Sequence, residues 1–273
     1  TRRQEIVLAS KIAGAGLPWI RGGKKITGRA IKQAVDASLT RLQTDYIDLY
    51  QLHWPNRPTP HFSRHWPGQA KYTEIDVARE HEEHLDILEA LGECVESGKI
   101  LNCGLSNDTP WGIHQYLHLA ESHKLPKMVS LQNEFSLLHL TDSPHVVESC
   151  ALNDVAYLPW SPLGGGALSG KYRHGAKPDG CRWTMQQRNG IFRDTSQSHA
   201  AIDGYHAIAE QHGISLAQMS LAWVIQFDAV TSTIIGATSM RQLEENIAAC
   251  QLSLTSEILA DIDAVIKRFP VPF

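Results

Sequence analysis

Apolar residues follow two alternating patterns along this chain. Short runs rich in Val, Ile and Leu are typical of buried strands, and longer segments with an apolar residue every three or four positions are typical of helices. The predicted strands cover residues 6–12, 46–53, 100–106, 128–132, 155–160 and 231–235. Strands that alternate with helices in this way predict β/α units and a parallel sheet.

Capping residues mark the ends of several predicted helices. Thr27 precedes the apolar positions Ile31 and Val35 and is predicted as a helix N-cap. Gly98 ends the next predicted helix, and Ser239 is predicted to cap a helix over 240–250. A last helix is predicted over 256–268. Each amphipathic helix can cover one face of the sheet.

This alternation favours a parallel (β/α)8 TIM barrel as the fold class. Such a barrel needs eight strands in about 250 residues, whereas six are predicted here, and the first follows only a few polar residues. We therefore expect one barrel domain over residues 1–273 that lacks about the first two βα units. The strands at 6–12 and 231–235 would then have unpaired edges, and open edges favour association with another chain. An oligomer is therefore possible.

Composition narrows the functional class. The chain has 25 basic and 29 acidic residues, so it has no positive surplus for a nucleic-acid partner. No apolar stretch reaches the roughly 18 residues that a membrane span needs, so no membrane association is expected. The five cysteines are odd in number and form no C-x-x-C pair. They indicate reduced thiols and a cytoplasmic location.

Two long interruptions separate the regular elements. Residues 55–71 are rich in Pro, His, Trp and Arg, and residues 163–198 are rich in Gly and Arg. Long loops in compact domains more often have a function than serve only as connections. Both follow strands, so in a barrel both would lie at the C-terminal mouth, where barrel enzymes have their active sites.

Lys11 and His53 are the first candidates for chemistry. Lys11 lies near the end of an otherwise apolar strand, where a charge is costly unless it is paired or functional. The alternative is a strand-end lysine whose ammonium reaches water. His53 ends its strand just before Trp54 and Pro55 and is a candidate proton handler or hydrogen-bond donor, although a structural histidine is equally compatible with the pattern.

A glycine-rich segment matches the sequence pattern of a phosphate loop but lacks the residues that should follow it. Residues 165–171 fit G-x-x-x-x-G-K, but Tyr172 follows where Ser or Thr would hold magnesium, and the next residues cannot start a helix. Nucleotide hydrolysis is therefore disfavoured. The glycines and the basic residues in and after this segment still suit a flexible lid that closes over an anion. These basic residues are Lys171, Arg173, Lys177, Arg182 and Arg188.

Two further patterns indicate a ligand site but are also compatible with a purely structural role. His114 and His118 have the i, i+4 spacing of zinc ligands, but Gln115 replaces the glutamate of a metalloprotease helix, and surface histidines are commoner. The predicted helix after Ser239 could hold phosphate on its first amides and meet an adenine amine with Glu245 or Asn246, or it could be a capped surface helix.

Six motifs follow one another along nearly the whole chain. They are LASK at 8–11, YIDLY with HWP at 46–55, GKI with GLSN at 98–107, LQNEFSLL at 131–138, WSPLGGG with LSGKY at 160–172, and IGA with QLEENI at 235–247. In this order they resemble the aldo-keto reductase family, in particular its bacterial branch that is similar to the potassium-channel beta subunits.

The resemblance implies an NADPH-dependent oxidoreductase that reduces small-molecule carbonyl compounds. By position it implies Lys11 as the catalytic lysine and His53 as the histidine that orients the carbonyl group. It implies carboxamide contacts from Ser106, Asn107 and Gln132, a stacking ring from Trp160, and pyrophosphate contacts from Ser161, Leu163 and Gly166. It assigns the adenosine end to Gly236, Thr238, Gln242, Glu245 and Asn246, and the 2'-phosphate to Lys171 and Arg182.

The sequence departs from the family at its catalytic tyrosine and aspartate, which belong to the two β/α units that we expect to be missing. Without the tyrosine, Lys11 has no general acid whose pKa it could lower. We therefore expect negligible carbonyl reduction by this chain alone. The alternative function is a non-catalytic NADP(H)-binding relic, redox sensor or regulatory subunit, and a longer reading frame with the tyrosine would distinguish the two.

Overall fold

The computed structural model describes residues 2–62, 64–185 and 193–273. Its sheet is wholly parallel and has the strand order β1-β2-β3-β4-β5. The strands are β1 (Ala9–Ile12), β2 (Ile47–Leu52), β3 (Ile100–Ser106), β4 (Met128–Gln132) and β5 (Ala156–Tyr157). The α-helices of the described residues are α1 (Gly28–Leu42), α2 (Val77–Glu96), α3 (Pro110–His123), α4 (His145–Leu152), α5 (Ser196–Gln211), α6 (Leu216–Ile225), α7 (Met240–Ala248) and α8 (Ser256–Arg268).

The chain divides into two compact units. The first consists of Thr1–Asn133 and His145–Tyr157 and contains the sheet with α1 to α4. The second consists of Glu134–Pro144 and Leu158–Phe273 and contains α5 to α8. The parallel α/β sheet confirms the predicted fold class at that level, whereas the closed barrel, its missing units and the single domain over 1–273 stay predictions.

The predicted bounds of β3 and β4 are confirmed, but β1 is shorter than predicted. The prediction began at Ile6, whereas the strand begins at Ala9, and Val7 is 80% exposed. The reason lies in the preceding backbone: the Leu8 amide donates to the Asp48 carboxylate over 2.9 Å rather than to a strand carbonyl. A side chain thus replaces the ladder bond and delays the start of the strand.

The strand predicted over 231–235 is wrong. Ile234 makes one isolated parallel bridge to Trp160, and its amide donates to the Pro159 carbonyl over 2.8 Å. Proline has no amide hydrogen to continue a ladder, and Pro159 and Pro162 lie on both sides of Trp160. The same prolines explain why β5 ends at Tyr157 rather than at Trp160, as predicted.

Helices of the first unit bury the apolar positions that the periodicity selected. Thr27 caps α1 by accepting the Ala30 amide over 3.2 Å. Ile31 and Val35 of α1 are fully buried, and Leu88 of α2 is fully buried as well. Helix α1 packs on α2, α2 on α3, and α3 on α4. The first unit therefore has its own apolar core between the sheet and these helices.

A second core lies in the second unit, where α5 packs on α8 and on α6. Tyr205 of α5 is fully buried and donates its hydroxyl to the Leu137 carbonyl over 3.0 Å. Tyr172 and Trp183 belong to the same core, and their rings stack with centroids 4.1 Å apart. The segment over 163–198, predicted as a flexible lid, therefore contributes Leu168, Tyr172 and Trp183 to a packed core, whereas its described residues 174–180 are exposed. Arg188 lies outside the described residues.

Three further observations concern the composition-based expectations. None of the five cysteines is in a disulfide. Within the described residues, no helix has both the length and the apolar character needed to cross a lipid bilayer. Over the same residues, the structure has no group of three or more His, Cys, Asp or Glu side chains suited to a metal ion, and both His114 and His118 are exposed.

A buried ion pair joins the loop after β2 to the loop after β3. Arg57 and Asp108 pair directly, and their side chains are 3% and 2% exposed. Arg57 also donates to the Thr109 hydroxyl over 3.2 Å, and its guanidinium lies 4.8 Å from the centre of the Trp111 ring. Because charges this deep must be compensated, the pair fixes the relative position of two loops that each follow a predicted site residue.

We expect Arg57→Met to lower the free energy of unfolding by about 3–5 kcal/mol, because the Asp108 carboxylate would stay buried without its partner. Chemical denaturation followed by circular dichroism measures this loss. The double variant Arg57→Met/Asp108→Leu removes both charges and should recover much of the stability. Arg64→Met, an exposed change in the same loop, is the control. A single variant as stable as the unsubstituted protein would contradict the role of the pair.

Candidate active site

Lys11 and His53 lie beside each other at the carboxyl ends of two adjacent strands. Lys11 of β1 is in register with Gln51 of β2, and the His53 amide donates to the Ile12 carbonyl over 2.9 Å. The Lys11 side chain is half-buried and, among the described residues, has neither an ion pair nor a hydrogen bond. Burial lowers its pKa from the ordinary value of 10.5. An ammonium without a protein partner is thus available to a ligand at this edge.

His53 is a neutral imidazole at pH 7. Burial is the larger cause that lowers its pKa from 6.5 to about 4, and the positive charge of Lys11 lowers it further. The charge effect requires the two groups to be close. A neutral ring has one nitrogen that donates and one that accepts. His53 can therefore donate a hydrogen bond to a carbonyl oxygen without first being charged.

The ends of β3 and β4 are tied to this pair through Asn107. Its backbone is left-handed, with φ 53°, and its amide donates to the Gln132 carbonyl over 3.1 Å. Its side-chain Nδ2 donates to the His53 carbonyl over 2.8 Å. Ser106 adds a hydroxyl donation to the Gln132 carbonyl over 2.6 Å. The structure thus brings together Lys11 and the other four predicted residues of the first unit at one edge of the sheet.

Gln132 has the unused polar groups at this edge. The residue is 7% exposed, and its side-chain amide has no hydrogen bond to any described residue. The Gln132 and Asn107 side chains present amide groups, which are complementary to a primary carboxamide. The first unit therefore fits the carboxamide end of a nicotinamide.

Two residues that sequence reasoning did not single out hold Asp108, the neighbour of Asn107, in place. Asn133 is fully buried; its Oδ1 accepts the Asp108 amide over 3.2 Å, and its Nδ2 donates to the Asp108 carbonyl over 2.9 Å. Arg57 pairs with the Asp108 side chain. The position of Asn133, directly after Gln132 at a strand end, is the one sequence signal that could have indicated this role. Arg57 could not have been predicted, because its partner Asp108 is 51 residues away.

The second unit contains the predicted stacking and phosphate residues. Trp160 lies in the bridge to Ile234 and accepts the Phe135 amide over 3.2 Å with its carbonyl. Ser161 is left-handed, with φ 59°, and its carbonyl accepts the Gly164 amide over 2.8 Å. Leu163 packs partly buried on the core of this unit. The chain thus turns sharply just after Trp160.

Gly166 is the most restricted position of this turn. Its φ is 98°, and a Cβ atom built there would lie 2.9 Å from Cε and 3.0 Å from Nζ of Lys171. A Cβ atom built on neighbouring Gly165 would lie 3.6 Å from Cδ of Arg182. Two predicted phosphate residues therefore approach bare glycine backbone, where an anion can be bound closely.

The phosphate-loop alternative is excluded by the local geometry. Residues 165–171 lie in and just after a 3-10 helix, Gly164–Ser169, and another 3-10 turn, Arg173–Gly175, follows. A phosphate loop needs an α-helix whose first turn faces the phosphates. No α-helix starts there.

The predicted adenosine residues lie at the start of α7. Ser239 caps the helix by accepting the Gln242 amide over 3.3 Å. The Gln242 Oε1 accepts from both the backbone amide and the hydroxyl of Thr238. Glu245 accepts the Ser215 hydroxyl over 2.7 Å, and Asn246 is 5% exposed. Gly236 precedes this cap and is exposed. The predicted residues are grouped, and a capped helix explains their present bonds equally well.

One cleft of the described residues lies away from the predicted site. A volume of about 450 Å³ opens between the loop after β2 and the first turn of α2. Its lining includes Asn56, Arg64, Asp76 and Arg79 but none of the predicted site residues. Since Lys25 and Arg79 are already paired with Glu83, and Lys71 with Glu74, we assign no chemistry to this cleft.

Comparison with known proteins identifies the class. The sequence model of the Aldo/keto reductase family matches residues 1–267. The chain belongs to this family, and the assignment identifies it as an oxidoreductase of the aldo-keto type. The family part of the resemblance is thereby confirmed.

Individual relatives agree with this assignment. Protein tas of Escherichia coli (strain K12) is 41% identical over 278 residues, which cover 99% of this chain and 78% of that protein. An aldo-keto reductase of Babesia bovis is 34% identical over 92% of this chain and 91% of its own length. L-glyceraldehyde 3-phosphate reductase of Escherichia coli (strain K12) is 28% identical over 96% of this chain and 70% of its own length.

We expect Lys11→Met to raise the pKa of His53 above about 4 while leaving it below 6.5. The substitution removes the smaller cause, the positive charge, and leaves burial in place. Titration of the imidazole NMR signals measures the shift, and Lys32→Met, on the exposed face of α1, is the control. An unchanged His53 pKa would show that the two groups are not coupled.

The same depressed pKa gives a pH dependence of stability. An unfolded histidine takes up a proton below about pH 6.5, whereas folded His53 stays neutral to about pH 4. The unfolded state therefore binds more protons between these values, and the contribution of His53 to stability is lost as the pH falls from about 6.5 to about 4.

Proposed function

We propose that this protein reduces aldehydes and ketones to alcohols with NADPH. The observation that supports this most directly is the Lys11 ammonium without a protein partner beside the neutral His53 ring, at the carboxyl ends of adjacent parallel strands. Sites in sheets of this type lie at that edge. A cytoplasmic location belongs to the same proposal and is supported by five cysteines of which none is in a disulfide.

The two side chains have different tasks in this proposal. NADPH, when bound, supplies the hydride. His53 donates a hydrogen bond to the carbonyl oxygen and so orients the substrate, because its ring is neutral at pH 7. Lys11 places a positive charge beside that oxygen, where negative charge develops during reduction. Burial strengthens both effects, because the surrounding dielectric is lower than that of water.

Cofactor contacts are proposed for both units. In the first unit, Ser106, Asn107 and Gln132 hold the carboxamide of the nicotinamide, which fits the unbonded Gln132 amide. In the second unit, we assign ring stacking and the pyrophosphate to Trp160, Ser161, Leu163 and Gly166, and the adenosine to Gly236, Thr238, Gln242, Glu245 and Asn246. Lys171 and Arg182 hold the 2'-phosphate, since both approach the glycine backbone.

One observation favours a second candidate function, an NADP(H)-binding sensor or regulatory protein without turnover. Among the described residues, the Lys11 ammonium has no hydrogen bond to a tyrosine hydroxyl, the group expected as the general acid. Tyr50 of the neighbouring strand is fully buried, and burial raises its pKa to about 12. The source of the proton therefore decides between the two functions.

For residues 1–273 alone, we expect NADPH oxidation with 4-nitrobenzaldehyde about a hundredfold to ten-thousandfold slower than in a form extended upstream to supply the family's tyrosine and aspartate. Lys11→Met should abolish most activity of the active form, and His53→Ala should raise KM as well. Lys24→Met, at an exposed position, is the control. If the short chain reacts as fast as the extended form, the proton comes from a described residue, and His53 is the first candidate.

Lys171→Ala should weaken NADPH binding about tenfold or more and leave NADH binding unchanged, because a charge-assisted contact to the 2'-phosphate contributes about 1.5–3 kcal/mol. The same contact predicts that the unsubstituted protein prefers NADPH. Fluorescence titration with each cofactor measures both quantities. Lys177→Ala removes a charge that is paired with Asp194 and is the matched control. Equal affinity of the unsubstituted protein for the two cofactors would contradict the assignment.

A further inference from the structure

Tyr172 has a buried hydroxyl that the fold does not use. The residue is 1% exposed, and its Oη atom has no hydrogen-bond partner in the described chain. Its ring is fixed, because it stacks on Trp183 with an angle of 4° between the ring planes. Buried polar atoms nearly always have partners, since an unsatisfied one is costly. A fixed donor without an acceptor indicates that a ligand supplies the acceptor.

The position of this hydroxyl suggests which ligand. A Cβ atom built on Gly166 would lie 3.5 Å from Oη of Tyr172 and 3.0 Å from Nζ of Lys171. An ammonium and a hydroxyl thus approach the same left-handed glycine. In the described residues, Lys171 has no carboxylate partner. A fixed hydroxyl donor beside half-buried glycine backbone, with a cation nearby, is suited to a phosphate oxygen.

Lys171 also lies against the Tyr172 ring. Its ammonium lies 5.2 Å from the centre of the Tyr172 ring, in a cation–π arrangement. The lysine side chain is long and only partly buried, so it can leave the ring for a stronger anionic partner. Tyr172 cannot move with it, because the stacking on Trp183 fixes its ring.

We infer that the Tyr172 hydroxyl donates a hydrogen bond to the pyrophosphate of the bound dinucleotide at Gly166, and that Lys171 covers this hydroxyl until the ligand draws its ammonium away. The inference rests on the proposed function, because it takes NADP(H) as the ligand. The fixed hydroxyl serves the phosphates that NADPH and NADH share, whereas the mobile Lys171 serves the 2'-phosphate. Tyr172 is thus a binding residue, and it acts on both cofactors.

The test is Tyr172→Phe, which removes only the hydroxyl. We expect binding of NADPH and of NADH, measured by fluorescence titration, to weaken by the same factor of about tenfold or more, since hydrogen bonds to charged groups are of this strength. Lys171→Ala should affect NADPH alone. Tyr50→Phe is the matched control, because Tyr50 is also a fully buried tyrosine but faces α1 and α2; it should leave both affinities unchanged.

Thermal unfolding without ligand provides a second measurement. Tyr172→Phe should keep or slightly raise the melting temperature, because the hydroxyl has no partner in the ligand-free fold. A clear drop would show that the hydroxyl serves the fold and would overturn the inference.

The binding outcomes separate this inference from the proposed function. If the unsubstituted protein binds neither cofactor, the proposed function fails, and this inference fails with it. If the unsubstituted protein binds NADPH and Tyr172→Phe binds it equally well, only the inference on Tyr172 fails. A loss confined to NADPH would assign the hydroxyl to the 2'-phosphate and overturn the pyrophosphate contact.

Discussion

The candidate site depends on the way in which Asn107 connects three strand ends. Its backbone amide bonds to the end of β4 and its side chain to the residue that follows β2, and both bonds form with its backbone in the left-handed conformation at φ 53°. Asparagine adopts this conformation more readily than most residues. The buried contacts of Asn133 and Arg57 with Asp108 then hold the next residue of the chain. A local backbone conformation thus sets the spacing of side chains that come from distant parts of the sequence.

Burial, rather than ion pairing, sets the electrostatics at this edge. Lys11 and His53 are both partly withdrawn from water, and in each case burial is the main cause of the lowered pKa. The positive charge of Lys11 in turn adds to the lowering of the His53 pKa, to about 4, and so favours the neutral histidine. One environment therefore produces a cation and a neutral donor side by side, a combination suited to a polarised carbonyl oxygen.

The sequence predicted the elements that depend on local chemistry. The bounds of β3, β4 and α8, and the caps Thr27 and Ser239, follow from periodicity and side-chain capping, which act over a few residues. The strand predicted over 231–235 failed because its apolar run carries no information about the prolines beside its partner, Trp160. The start of β1 failed for a similar reason, since Asp48 takes the amide of Leu8. Periodicity identifies a face but not its hydrogen-bond partners.

Residues of the candidate site were predictable as members of motifs but not in their bonding. The resemblance placed Ser106, Asn107 and Gln132 together, and the structure shows them at one sheet edge. No pattern indicated that Arg57 would find Asp108, since 51 residues separate the partners of this pair. The stacking of the Tyr172 ring on Trp183 could not be predicted either, because residues 163–198 have no periodicity that indicates core residues.

The connection between the strand ends uses main-chain acceptors: the carbonyls of His53 and Gln132 receive the bonds from Asn107 and Ser106. These bonds do not depend on which side chains residues 53 and 132 carry. The main-chain hydrogen bonds and the reactive side chains are therefore separable. A different side chain at position 53 would occupy the same position relative to the strand ends. Such a division allows new chemistry to evolve, or to be engineered, at this sheet edge without a new fold.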